Sequence, residues 1–274
     1  MRQISLPTDV LDYIFSFLES DSITLETCTL SHPFLSQFAQ RYLYSTIDLE
    51  HGVYDTWRRM FEFNQLLLDT PRIGGYVRTV EVRINDNPRQ DLSLFSSILQ
   101  KLPLVKKITL IQVDRRGEIS WEVLPETFRQ AFLKCLRLPT MKELYVEYII
   151  NFPLSALKDS KTIKILKLVH WKYNSKIKVP GDTLVHPFPP IESLSIFDCE
   201  NQSVRKMLPR LEKCHIHSLS FSLGFFANRH GFDVMADLLA CSSNYLTTLN
   251  LHVEHILCMS CPFDQMFPTK SLHS

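Results

Sequence analysis

LPTDVLDYIFSFLESDSITLETCTLSHPFLSQFAQRYLYSTIDL, residues 6–49, spells three short helices and a strand. Pro7 stands where a helix begins, since its missing N–H would have no partner there in any case. Val10, Leu11, Ile14, Phe15 and Leu18 follow at three- and four-residue steps, which predicts one shared apolar face. Asp21 or Ser22 can cap a second helix carrying Leu25 and Cys28. Pro33 opens a third, in which Phe34/Leu35, Phe38/Ala39 and Tyr42/Leu43 repeat every four residues. Three such helices cannot bury all of this apolar surface among themselves. Part of it is expected to meet a partner or the rest of the chain.

Beyond the strand 46–49 the spacing predicts a helix over about 53–68, with Trp57, Met60, Phe61, Asn64 and Leu67/Leu68 in helical register. It should end before Thr70-Pro71, and Gly74-Gly75 allow a sharp turn after it. The pattern apolar-x-x-apolar-x-apolar then recurs as Val77/Val80/Val82, Val105/Ile108/Leu110, Met141/Leu144/Val146, Ile163/Leu166/Leu168, Ile191/Leu194/Ile196, Ile216/Leu219/Phe221 and Leu246/Leu249/Leu251. Successive starts are 28, 36, 22, 28, 25 and 30 residues apart. Between them lie helix-like segments with apolar faces: Phe95/Ile98/Leu99/Leu102, Phe128/Phe132/Cys135/Leu136, Val204/Met207/Leu208/Leu211 and Phe232/Met235/Leu238/Leu239. One strand plus one helix cannot bury its own face, so the units should stack and share a core. Generic α/β alternation around a parallel sheet is the competing reading. Residues 258–274 lose the periodicity and look like a loose tail.

Two resemblances follow from these residues. The opening Leu6-Pro7, then Val10, Ile14-Phe15 and Leu18, then Cys28-Thr29-Leu30 and the exit Leu43-Tyr44-Ser45-Thr46-Ile47 resemble an F-box of the fungal type. The segment Ser31-His32-Pro33-Phe34-Leu35 departs from that family, lacking the Trp and the basic residue usual in its third helix. The later triplets resemble leucine-rich repeats in period and in strand pattern. The ninth repeat position, usually Asn or Cys, is Asn85 and Cys199 in two units but Val113, Ile149, Trp171, Gly224 and Glu254 in the others, so the repeat is irregular.

The fold these resemblances imply is mixed α/β. An F-box-like domain (1–49) and a linking helix and turn (50–76) precede an irregular leucine-rich-repeat-like array with a curved parallel sheet (77–257) and the tail. The implied function is substrate recognition for an SCF-type cullin ubiquitin ligase, with the F-box on a Skp-type adaptor and the repeats on a protein target. Leu6, Pro7, Val10, Ile14, Phe15, Leu18 and Leu30 would serve adaptor binding or packing of the F-box, and which of them face outward stays open. Such a subunit catalyses nothing and needs no cofactor or metal. A repeat scaffold not coupled to ubiquitination is the alternative.

Composition sets the outer limits. The chain has 274 residues, 45% hydrophobic and 22% charged, as in a globular protein. Residues 1–50 carry two basic side chains (Arg2, Arg41) against seven acidic ones (Asp9, Asp12, Glu19, Asp21, Glu26, Asp48, Glu50), a net −5 that leaves +6 for the remainder. That spread is weak support for nucleic-acid binding. No apolar run follows Met1-Arg2 and no stretch spans a bilayer, so no membrane association and a place in the cytoplasm or nucleus are expected, with seven reduced cysteines. No glycine pattern cradles a phosphate, and neither H-E-x-x-H nor G-x-S-x-G occurs.

Three clusters remain. His252, His255, Cys258 and Cys261 fall every three residues with zinc-type donors, but without the long spacer that lets a chain close around the ion. Lys158, Lys161, Lys164, Lys167, Lys172, Lys176 and Lys178 form a basic stretch opposed in sequence only by Asp159. Alternation along the strands places two rows on the sheet face away from the core. One is Glu81, Thr109, Tyr145, Lys167, Ser195, Ser220 and Asn250; the other is Arg83, Ile111, Glu147, Val169, Phe197, Ser222 and His252. Arg83, Ile111, Tyr145, Glu147, Lys167 and Phe197 are the candidates to face a target, with mixed charge and apolar anchors suited to protein.

Overall fold

The computed structural model describes residues 6–50, 54–85, 92–113, 118–172, 188–223 and 229–253. Helices α1 (Thr8–Ser16), α2 (Ser22–Ser31) and α3 (Pro33–Leu43) come first. Pro7 stands at the N-cap position of α1 without a side-chain cap, its carbonyl accepting the Leu11 N–H at 3.1 Å, and Asp21 caps α2 by accepting the Thr24 N–H at 3.0 Å and the Thr24 hydroxyl at 2.7 Å. These bonds favour the carboxylate and hold Asp21 below its ordinary pKa. The His32 Nδ1 accepts the Phe34 N–H at the start of α3, where Pro33 supplies the first-turn φ.

The three helices enclose a small core of Leu11, Phe15, Leu25, Phe38 and Ala39. Phe15 lies between Phe38 and Tyr42, with ring centroids 6.0 and 6.5 Å away, and the Tyr42 hydroxyl donates to the Asp12 carbonyl at 2.8 Å. The single apolar face expected for the first helix is in fact two. Leu11 and Phe15 point inward while Val10 and Ile14 point outward. At 100° per residue, 10/14 and 11/15 form adjacent stripes, and only one of them fits the small core.

Strand β1 (Thr46–Glu50) then pairs in parallel with β2 (Thr79–Ile84), and α4 (Tyr54–Asp69) and a 3-10 turn (Pro71–Gly75) lie between them. Residues 46–49, read from sequence as the exit of the helical module, are thus hydrogen-bonded into the sheet. Their Ile47 and Leu49 belong to its core. The chain continues with α5 (Ser93–Leu99), β3 (Lys107–Gln112), β4 (Ile119–Ser120), α6 (Glu126–Leu136), β5 (Glu143–Glu147), β6 (Ile149–Ile150), a 3-10 turn (Leu154–Asp159), β7 (Ile165–Val169), β8 (Ser193–Phe197), α7 (Asn201–Leu211), β9 (Ser218–Leu223), α8 (Arg229–Ser242) and β10 (Thr248–Val253).

Among the described residues eight strands form one parallel sheet in the order β1-β2-β3-β5-β7-β8-β9-β10, while β4 and β6 pair separately. Each unit joins the next by the same backbone device. The carbonyl of the residue before or at the strand start accepts two successive N–H groups from the following unit. Ser45 takes Arg78 and Thr79, and Arg78 takes Lys106 and Lys107. The same follows at Lys106, Lys142, Lys164, Glu192 and His217, all at 2.7–3.1 Å.

The apolar triplets from Val77 to Phe221 are buried against one face of the sheet, where α5, α6 and α7 contribute Phe95, Ile98, Phe128, Phe132, Val204 and Met207 to a continuous core. The last triplet differs. Leu249 and Leu251 are about half exposed, because among the described residues nothing packs beyond β10. Phe232 also turns outward, leaving Val234 and Leu238 to face the core from α8.

Two glycines carry a different meaning from the expected turn. Neither adopts a left-handed conformation. Gly74 is buried, and a Cβ there would lie 2.3 Å from the Lys101 carbonyl oxygen; Gly75 has open space. Close backbone approach, rather than turn conformation, requires the first of them. Among the described non-glycine residues four are left-handed: Tyr148, His170 and Asp198 (φ 58, 50 and 51°) each follow a strand directly, and Asn151 (φ 57°) follows β6.

Candidate functional site

The helical module keeps a set of large apolar side chains outside its small core. Val10, Tyr13, Ile14 and Phe17 recur at i, i+3, i+4, i+7 on the outer side of α1, with the Tyr13 and Phe17 rings edge to face at 4.8 Å. Ile23 and Leu30 stand out from α2, seven residues apart, Leu30 with 88% of its surface exposed. Leu6 and Phe34 add to the exposed set. Single exposed apolar residues are ordinary, but eight large ones between positions 6 and 34 are not.

Of the residues singled out in sequence, Leu6, Pro7, Val10, Ile14 and Leu30 are exposed, Leu18 is half-buried against the small core, and Phe15 is inside it. Tyr13, Phe17 and Ile23 went unread. Their helical spacing with Val10, Ile14 and Leu30 was the available signal.

The second surface is the open face of the sheet. The register puts Asp48, Glu81, Thr109, Tyr145, Lys167, Ser195, Ser220 and Asn250 side by side across successive strands. Next to this row run Glu50, Arg83, Ile111, Glu147, Val169 and Phe197, and beyond them Ser222 opposite His252.

Side chains of the two rows meet. Lys167 Nζ lies 3.0 Å from Glu147, 5.5 Å from the Tyr145 ring centroid and 5.8 Å from that of Phe197. Lys107 Nζ also lies 4.4 Å from the Tyr145 ring centroid, and the Tyr145 hydroxyl approaches Glu143 at 3.3 Å. Burial first, and then Glu143, raise the Tyr145 phenol above its usual pKa. Arg83 lies apart from this group, at the β1–β2 end. Along the rim of the sheet Tyr148 stacks on His170 at 4.3 Å, and His170 Nε2 is 3.4 Å from Asp198, which also accepts from the Ser222 hydroxyl.

Three lysines of the basic stretch are paired in space. Lys164 pairs with Glu192 at 2.5 Å, Lys167 with Glu147, and Lys172 with Glu118, while Asp159 turns to Arg137 at 3.0 Å. Lys176 and Lys178 lie outside the described residues. Carboxylates on adjacent units, distant in sequence, supply the partners.

His252 packs edge-on against Phe197 at 5.3 Å. His255, Cys258 and Cys261 fall outside the described residues, and within those residues no group of three or more His, Cys, Asp or Glu could hold a metal ion. Cys135 and Cys199 are structural. Cys135 is buried, and burial pushes its thiol up to about 12; Cys199 is only partly buried, and its sulfur points to the Phe197 and Leu168 carbonyls at 3.3 and 3.6 Å. No helix among the described residues is long and apolar enough to cross a membrane.

Against known families and curated proteins, the sequence matches no family model and no characterised relative.

Proposed function

We propose that the chain is the substrate-recognition subunit of an SCF-type cullin ubiquitin ligase: an F-box that docks on a Skp-type adaptor, joined to a leucine-rich-repeat-like array that holds a protein target. The observation that carries this reading is the outward apolar face of α1 and α2, set on a module that already has its own buried core. The module does not need those side chains for folding, so their exposure points to a partner that desolvates them. The array has the repeated backbone joint and open sheet face of a binding scaffold. Such a subunit acts by tethering, raising the effective concentration of target near the ubiquitin-charged enzyme.

The test is a pull-down of a Skp-type adaptor with the wild-type chain and with Ile14→Asp/Leu30→Asp. Both positions are exposed, so the fold should survive, as circular dichroism would show. Losing burial of the two side chains costs about 3–6 kcal/mol, a weakening of at least about 100-fold. A folded wild type that retains no adaptor would end the ligase reading. The segment Ser31–Leu35, without Trp or a basic residue, favours the second reading, a repeat scaffold not coupled to ubiquitination.

A further inference from the structure

The open face of the sheet has one charged pole. At the β1–β2 end Arg83 faces three carboxylates, Asp48 at 3.3 Å, Glu50 at 3.5 Å and Glu81 at 2.6 Å. All four side chains keep a quarter to a half of their surface exposed. One guanidinium against three carboxylates leaves a surplus of two negative charges. Burial, with Glu81 and Glu50, raises the Asp48 carboxyl above its ordinary pKa even though Arg83 opposes the shift.

The rest of the face has no second pole. Lys107 lies opposite Glu143 in register, and Lys167 is held by Glu147. The outward positions of β8, β9 and β10 carry no Asp, Glu, Lys or Arg, being filled by serines, Thr248, Asn250, His252 and Phe197. Val169 and Phe197 are adjacent across β7 and β8 and partly exposed, an apolar step beside the neutral half.

We propose that this face takes an extended basic–apolar segment of a partner protein, with a Lys or Arg side chain at Asp48, Glu50 and Glu81 and an aliphatic or aromatic side chain on Val169 and Phe197. The inference rests on the target-binding role of the sheet face and not on adaptor docking. From β2 to β8 is four strand steps, about 19 Å at roughly 4.8 Å each. An extended segment covers that with about six residues, which sets the spacing between its cation and its apolar anchor. An acidic segment or a nucleic-acid backbone would meet the surplus carboxylates and be repelled, while Lys167 is held by Glu147 and Lys107 lies over the Tyr145 ring.

The experiment selects phage-displayed random twelve-residue peptides on the immobilised full chain, then measures the winning synthetic peptides by fluorescence anisotropy. Peptides rich in Lys or Arg with an apolar residue about six positions away are expected. Affinity should fall at least tenfold on Asp48→Asn/Glu81→Gln and on Phe197→Ser, both checked for folding by circular dichroism. It should also fall between 50 and 300 mM salt, the concentrations chosen for the assay. Ile14→Asp/Leu30→Asp should bind the same peptides unchanged. Acidic winners, no enrichment over a blank surface, or affinity indifferent to both face variants would overturn the inference. Peptide binding without adaptor binding would remove the ligase coupling and leave this inference standing; adaptor binding without peptide binding would do the reverse.

Discussion

Phe15→Ala should melt the helical module and leave the sheet intact. Phe15 is 3% exposed and fills the middle of a five-residue core that shares no member with the core of the sheet. Truncating a buried Phe costs about 3–5 kcal/mol, because the aromatic stacking on Phe38 and Tyr42 goes with the transfer term. A module of residues 8–43, at about 0.05–0.15 kcal/mol per residue, holds only about 2–5 kcal/mol in total. The substitution therefore brings it to its unfolding midpoint or beyond. The sheet core, running from Ile47 to Leu238, loses nothing. Hydrogen exchange read by mass spectrometry should show α1–α3 unprotected and β2–β9 protected as in wild type. Joint loss of protection in both regions would refute the separation of the two cores, and full protection of α1–α3 would refute the central place given to Phe15.

Gly74→Ala should lower the melting temperature by about 3–10 °C, since forcing a methyl group against the Lys101 carbonyl costs about 1–3 kcal/mol, while Gly75→Ala should leave it unchanged or slightly raised. Equal melting of the two variants by circular dichroism would contradict this. Iodoacetamide at pH 8 should spare Cys135 in the native protein, because a buried thiol raised to about 12 is about 0.01% thiolate there, and should reach it only after denaturation. Peptide mapping that finds Cys135 modified in the folded chain would show that its burial is incomplete.

The sheet was legible because its signal is repeated. Each apolar triplet marks a strand and its inward face at once, and from Val77 to Phe221 the triplets are buried as read. The helical module was less so. Both stripes of α1 are apolar, and nothing in Val10-Leu11 or Ile14-Phe15 says which one the small core accepts. That is decided by α2 and α3, whose placement single-sequence periodicity does not contain. Tyr148, His170 and Asp198 in left-handed conformations were also unreadable, since a sequence signals positive φ through glycine and here there is none. The partners of Lys164, Lys167 and Lys172 were unreadable for a related reason: Glu192, Glu147 and Glu118 come from other units and meet them only in the folded stack.

The joint between units lies in the main chain alone. Its accepting carbonyls belong to Ser45, Arg78, Lys106, Lys142, Lys164, Glu192 and His217, a set that runs from a hydroxyl through cations to a carboxylate. Any amino acid supplies the carbonyl, and any but proline supplies the two N–H donors. Such a stack can replace every letter at its seams without changing its pitch, provided that proline stays away from the donor positions. A lineage built this way can keep its shape long after its sequence has ceased to resemble its origins.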